Sequence, residues 1–365
     1  MTIGIGGAGS KLAMKLDAGA TLVNVSQGEM DKLQPEKKIL AVNHAAQGQL
    51  RGSRKDPTIG LSAFQSIRAE LLPLIRGNIV FSSTGGGTGT GISTGLLQAV
   101  AAGNAPELAE RTTFVFVLPH ADMEAGEYVK NTTEFLQGAL SEAVDSGNSG
   151  NIILMSNRVK FESRLPEDEF NDMLIDSLKT FLAIPGKNDE LKLLDGHIDW
   201  EDFNLFRSKP YFNHFTAFDF NPDVEFEKQL DKHLNPLLLA AENPIEAMFL
   251  LEVPAGGDPR SFYDILDYFQ KVEATPVYSV VENPALKKPF VTVSMLYSRK
   301  PAELVEDFNR ITVAHAKTKV RKTLDQYVTL QKLHVNMESE VKKVAKQKGS
   351  PDGDILTVLR RIGKL

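Results

Sequence analysis

The chain has 365 residues, beyond the usual size of one domain, so two domains sharing an interface are expected. Its 41 basic and 47 acidic side chains leave a net charge of -6, which argues against the whole molecule binding a polyanion and confines any nucleic-acid contact to a local patch. The lack of cysteine excludes disulfides and thiolate metal sites, and the seven histidines include no His-Glu-x-x-His pair, so no protein-built metal site is expected.

Met1-Thr2-Ile3-Gly4 enters a strand without a basic and then apolar leader, and no stretch approaches about 18 uninterrupted apolar residues. A soluble, cytoplasmic protein with no membrane insertion is the expectation. Short apolar runs then alternate with helical patterns. Thr21–Val25, Ile39–Val42, Ile79–Ser82, Thr113–Leu118 and Ile152–Ser156 are apolar on both faces, as buried parallel strands are. They predict an α/β fold, a doubly wound parallel-sheet domain over residues 1–164 whose ligands lie beyond the carboxyl ends of the strands.

Residues 165–186 carry Phe170, Met173, Leu174, Leu178 and Phe181 at helical spacing, one long central helix stopped at Pro185-Gly186. Ala247–Val253, Val277–Val281 and Phe290–Tyr297 are strand-like, with a helical pattern around Phe262–Phe269, so residues 187–300 form a second, smaller α+β domain. From 301 to 348 Leu304, Phe308 and Ile311, then Val320, Leu324, Tyr327, Leu330, Leu333, Met337, Val341 and Val344, recur at helical spacing. This long C-terminal helix, single or broken once, exceeds what a compact domain needs, so part of it lies along the surface or reaches a neighbour. Gly349-Ser350-Pro351-Asp352-Gly353 breaks the chain and leaves a tail over 349–365.

Two glycine-rich turns carry the chemistry. Gly4-Ile5-Gly6-Gly7-Ala8-Gly9 matches G-x-G-x-x-G at a strand-to-helix turn, which alone suits a dinucleotide-binding dehydrogenase equally well; a P-loop is disfavoured because Ser10-Lys11 stands in the reverse order. Gly85-Gly86-Gly87-Thr88-Gly89-Thr90-Gly91 directly follows the apolar strand Ile79–Ser82 and precedes a helical stretch, Ile92 to Ala102. Bare amides at a helix N-terminus favour an anion, and two such turns suit one phosphate chain.

The second run resembles the signature of the tubulin and FtsZ superfamily, and the resemblance can be followed through most of the chain. Gly6, Gly7, Gly9 and Ser10 resemble the first phosphate loop, with Lys11 where FtsZ proteins carry asparagine. Asn24-Val25-Ser26-Gln27 is similar to the loop after the second strand. Arg51 to Pro57 with Gly60 is similar to the loop that senses the terminal phosphate, which implicates Gly52, Ser53 and Arg54. Leu118-Pro119-His120 resembles a loop near the ribose, with Glu124 a sugar contact offset by about one residue from the FtsZ pattern.

The resemblance implies GTP or GDP with Mg²⁺, the phosphates held by Gly85, Gly86, Gly87, Thr88 and Gly89, and the base read by Asn157 and Asn171. An amide supplies the donor and the acceptor that the guanine edge requires. The aromatic that stacks on the base in FtsZ relatives is absent, Glu167 holding its place, and Phe170 is the candidate substitute. Without the glycine turns, Asn157 reads as a loop residue and Asn171 as a solvated helix position.

His197-Ile198-Asp199-Trp200-Glu201-Asp202 resembles the FtsZ loop Asn-x-Asp-Phe-x-Asp, with His197 replacing the asparagine. In the family this loop acts on the nucleotide of the next subunit. The resemblance therefore implies that Asp199 and Asp202 polarise a water and that hydrolysis depends on head-to-tail self-assembly. Plain acidic capping of a helix is the other reading. Lys342, Lys343, Lys346 and Lys348, with Arg360, Arg361 and Lys364, read either as compensation of a helix dipole or as a docking tail for an adaptor protein or DNA. Asp354-Ile355-Leu356-Thr357-Val358-Leu359-Arg360-Arg361 is similar to the FtsZ tail peptide, with Leu356 and Val358 replacing its proline and phenylalanine.

The function implied is that of a tubulin-like GTPase forming filaments that position or segregate plasmid or phage DNA, because the long C-terminal helical region resembles the TubZ and PhuZ type. FtsZ-like cell division is the alternative. A nucleotide-binding oxidoreductase and a GTP-binding structural protein without hydrolysis are the readings from other classes.

Overall fold

The computed structural model describes residues 2–42, 52–103, 111–239 and 243–297, and four single helical positions, Arg310, Val313, Ala314 and Lys317. The chain divides into two units, Met1–Thr312 and Val313–Leu365, and the first is described here. Most of the expected C-terminal helix, the basic cluster and the tail lie outside the described residues.

The strands are β1 (Thr2–Ile5), β2 (Thr21–Asn24), β3 (Lys37–Leu40), β4 (Ile79–Ser83), β5 (Thr113–Leu118), β6 (Asn151–Ser156), β7 (Lys192–Gly196), β8 (Phe212–Asp219), β9 (Glu246–Val253), β10 (Thr275–Glu282) and β11 (Phe290–Tyr297). They form one sheet in the order β3-β2-β1-β4-β5-β6-β8-β11-β9-β10-β7. All pairings from β3 to β8 are parallel, so the ends at Ile5, Asn24, Ser83, Leu118 and Ser156 share one rim. Beyond that, β11 is antiparallel to β8 and β9, β10 is parallel to β9, and β7 closes the edge antiparallel to β10.

The helices are α1 (Gly6–Leu16), α2 (Gln27–Asp31), α3 (Pro57–Ile75), α4 (Gly87–Ala101), α5 (Gly126–Phe135), α6 (Ser141–Asp145), α7 (Arg158–Glu162), α8 (Glu167–Leu182), α9 (Ile184–Glu190), α10 (Trp200–Ser208), α11 (Phe226–Lys232) and α12 (Phe262–Lys271). Side chains alternating along β5 show how the layers arise. Phe114, Phe116 and Leu118 join a core with Phe64, Ile67 and Leu71 of α3 and Ile92, Leu96 and Val100 of α4. Val115 and Val117 join a second core with Leu12 of α1, Leu174, Leu178 and Phe181 of α8, and Phe203 of α10. The sheet is thus covered on both faces, which a parallel sheet requires. The doubly wound α/β expectation is met.

Details differ from the sequence reading for physical reasons. Strand β3 is not buried on both faces: Lys37, Lys38 and Leu40 are exposed, as suits an edge protected by lysine. Strands β7 and β8 were not expected. Pro185 does not stop the central helix; α8 ends at Leu182 and Pro185 lies in the first turn of α9, where its missing N–H costs nothing. Among the described residues no helix is long and apolar enough to cross a membrane.

Candidate nucleotide-binding site

Helices α1 and α4 both begin at the shared rim, directly behind β1 and β4, and neither has a side-chain cap on its first turn. Their free amides are therefore left for something else. The two turns touch: Gly6 has φ +71°, and a β-carbon built on it would lie 2.9 Å from Gly89 N and 3.1 Å from Gly89 Cα. Any larger residue at Gly6 would push the turns apart. Gly7, Gly85, Gly86, Gly87, Thr88 and Gly89 are gathered here, with Thr88 buried. Gly9 and Ser10 lie deeper. Gly9 packs on the Phe81 backbone, and the Ser10 hydroxyl donates to Gly4 O at 3.3 Å.

The segment from Gly52 to Asp56 reaches the same place, since a β-carbon on Gly87 would stand 2.6 Å from Asp56 N. Ser53 is buried, whereas Arg54 and Lys55 are exposed with φ of 50° and 63°. Two consecutive non-glycine residues in the left-handed region need outside support. Asn131 of α5 gives it: its Nδ2 donates to Lys55 O at 3.0 Å and to Gly85 O at 2.9 Å, tying this segment to the second glycine turn. Lys55 Nζ also sits 4.7 Å from the centre of the Tyr128 ring. Asn24 is buried at the end of β2; its Oδ1 accepts from Ser26 N at 3.2 Å and its Nδ2 donates to Glu29 at 3.0 Å.

On the other side, Pro119 is buried at the end of β5 and Glu124 turns back so that its Oε2 accepts from His120 N at 2.6 Å. The same oxygen accepts from Asn157 Nδ2 at 3.0 Å. Two residues chosen separately from the sequence are thus hydrogen-bonded partners. Asn171 is nine-tenths buried in the second turn of α8. Phe170 is 1% exposed in the core, so its ring is not offered to a ligand, and the sequence suggestion for a stacking aromatic is corrected. Phe161 of α7, half-buried with its ring 5.9 Å from His120 and four residues beyond Asn157, is the better-placed ring. Two of the departures from the FtsZ pattern, Lys11 and Glu167, meet in an ion pair of 2.6 Å, and that hydrogen bond lowers the Glu167 pKa.

The acidic loop lies elsewhere. Asp199 caps α10, accepting from Asp202 N at 2.8 Å, while Asp202 Oδ2 accepts from Asp199 N at 3.4 Å. Glu201 pairs with Arg111 at 2.7 Å and Arg207 Nε donates to Thr113 Oγ1 at 2.9 Å, so α10 packs at the amino end of β5, opposite the rim of the glycine turns. Helix α8 links the two places. Its first turn pairs with Lys11 and Lys15 of α1, its last turn places the Phe181 ring 5.0 Å from that of Phe203 at a tilt of 46°, and its 16 residues span about 24 Å. His197, Asp199 and Asp202 offer ligand atoms all within 4.8 Å of one another, a grouping the sequence reading did not make.

Comparison with solved structures places the architecture. A GTPγS-form protofilament of TubZ from Bacillus thuringiensis serovar israelensis is similar over 89% of this chain and 93% of its own, at 15% identity and a TM-score of 0.69. TubZ of Clostridium botulinum phage c-st matches over 87% and 98%, at 18% identity and TM-score 0.62. An empty FtsZ dimer from M. jannaschii matches over 82% and 88%, at 18% identity and TM-score 0.60. The chain has the tubulin/FtsZ fold. No family model and no curated protein sequence matches it, so the likeness is one of tubulin-like structure. The touching turns at Gly6 and Gly89 stand at the carboxyl-end rim of the parallel strands, where open α/β sheets in general bind ligands.

Proposed function

We propose that this chain is a tubulin-like GTPase that assembles head to tail into cytoplasmic filaments and hydrolyses GTP between subunits, with those filaments positioning or segregating plasmid or phage DNA. The observation that carries the proposal is the contact between two uncapped helix N-termini through Gly6 and Gly89, which offers the amides of both turns to one anion. Gly52, Ser53 and Arg54 would sense its terminal phosphate, Glu124 would face the ribose, and Asn157 with Asn171 would read guanine. Mg²⁺ would supply charge neutralisation at the phosphates when bound.

The separation of the half-sites supports hydrolysis in trans. Asp199 and Asp202 lie at the far end of α8 from the glycine turns, so within one subunit they cannot reach its own phosphates. A second subunit stacked in the same orientation would bring its acids to the first subunit's nucleotide, and repeating the contact gives a filament. The protofilament form of the TubZ relative agrees with this reading. The long helical pattern after residue 301, which resembles the TubZ and PhuZ type, supports the DNA-positioning role over cell division.

Electron microscopy with GTP and with GTPγS, run beside a phosphate-release assay, tests the proposal. Asp199→Asn keeps an equally good helix cap and removes the carboxylate. It should still form filaments, now long-lived, with phosphate release reduced about 100-fold. Release at the parent rate would remove Asp199 from the reaction, and absence of guanine-nucleotide binding to the parent chain would overturn the whole reading.

A further inference from the structure

We propose that Glu29 is a protein ligand of the divalent cation accompanying the bound triphosphate; the proposal rests on the GTP-binding reading of the site. Ser26-Gln27-Gly28-Glu29 has the spacing of a capping box, in which the glutamate would reach back to the serine N–H. Only half of the box forms. Ser26 Oγ accepts from Glu29 N at 3.4 Å, but the Ser26 N–H is taken by Asn24 Oδ1. The Glu29 carboxylate is thereby released from its local role, and its Oε2 accepts from Asn24 Nδ2 at 3.0 Å.

There it faces two other loops of the site. Oε2 stands 3.5 Å from where a β-carbon on Gly7 would lie, and Oε1 stands 4.0 Å from the equivalent position on Gly52. The carboxylate is thus within ordinary contact range of a β-carbon at either glycine. Among the described residues no basic side chain pairs with Glu29. A carboxylate beside the phosphate-binding turns would repel a triphosphate, and a divalent cation held between them converts that repulsion into attraction. The donor chemistry fits: Mg²⁺ is held by one or two carboxylates together with substrate phosphates and waters. Glu29 is exposed, so the cation has access from solvent.

Calorimetric titration of the full-length protein with GTPγS, in Mg²⁺ and in EDTA, tests the assignment with Glu29→Gln. The parent should bind more tightly with Mg²⁺, and the variant should lose about 10-fold of that gain while binding in EDTA at least as tightly as the parent, because a like charge is gone. Mn²⁺ bound with GTPγS, followed by electron paramagnetic resonance, should be weakened by the same factor. A variant that keeps the full Mg²⁺ gain, or one that loses affinity equally in Mg²⁺ and EDTA, overturns the proposal. A parent that binds GTPγS with no gain from Mg²⁺ overturns it too but leaves the nucleotide site standing; a parent that binds no GTPγS at all brings down the site reading itself.

Discussion

Strands β1 to β6 are four to six residues long and run parallel, whereas β8, β9, β10 and β11 each span eight residues in a mixed arrangement. The first half delivers loops to one rim, and its tightest contacts are backbone on backbone. The second is held by side chains: Phe218, Phe226, Phe249 and Phe269 pack ring on ring, and Asn213 and His214 are buried with them. The contrast teaches that the half expected to bind the ligand tolerates no added volume at its crossings, while the other depends on burial.

The largest expected effect breaks the first half. A β-carbon on Gly91 would lie 2.5 Å from Leu61 N and 2.7 Å from Gly60 Cα, so Gly91→Val must force α3 and α4 apart. Urea unfolding should show a loss of about 3 kcal/mol or more. A variant as stable as the parent would show that the crossing of these helices is not set by glycine.

The second half should instead respond to acid. Burial holds the His214 pKa down at about 4 from an ordinary 6.5, and its Nε2 accepts from Asn235 N at 3.1 Å. Between those values the unfolded chain takes up a proton that the folded chain refuses, so stability is complete above pH 6.5 and falls as pH drops towards 4. By pH 4.5 the loss from this group should be about 2 kcal/mol, and His214→Gln should flatten that part of the pH profile measured by urea unfolding.

Asn131→Ala sharpens the comparison within the first half. It removes both bonds to Lys55 O and Gly85 O while touching no expected ligand atom, and GTPγS affinity should fall about 10-fold by calorimetry. The smallest effect is expected at the Lys11–Glu167 pair, which is about half exposed; Lys11→Gln should change stability by less than about 1 kcal/mol in the same unfolding assay.

The parallel strands were legible because a strand covered on both faces is apolar at every position, and β5 was found to the residue. Strand β8 was not, because Asn213, His214 and Thr216 interrupt its apolar pattern. They are nonetheless buried, with Asn213 Nδ2 donating to Asn151 at 2.9 Å and its Oδ1 accepting from Ser294 at 2.7 Å. Such positions look like surface until their distant partners are known. Strand β7 reads as a loop because an edge strand is free to be polar. At the site, the glycine turns announced themselves through a strand, a bare turn and a helix in direct succession. The Asn131 tie and the approach of the Phe161 ring to His120 depend on contacts between segments far apart in the chain, and nothing local marks them.

Helix α8 has an architectural consequence. Its first turn pairs with α1 of the glycine turns and its last turn packs on α10 of the acidic loop, so it acts as a ruler between the two proposed half-sites. One inserted residue would swing whatever follows α8 by about 100° and advance it by about 1.5 Å against the glycine turns, which would spoil the register of every joint in the proposed head-to-tail assembly. Surface turns can change length without moving the rest of a fold, but under the proposed stacking the length of α8 from Glu167 to Leu182 is a dimension the polymer has to keep.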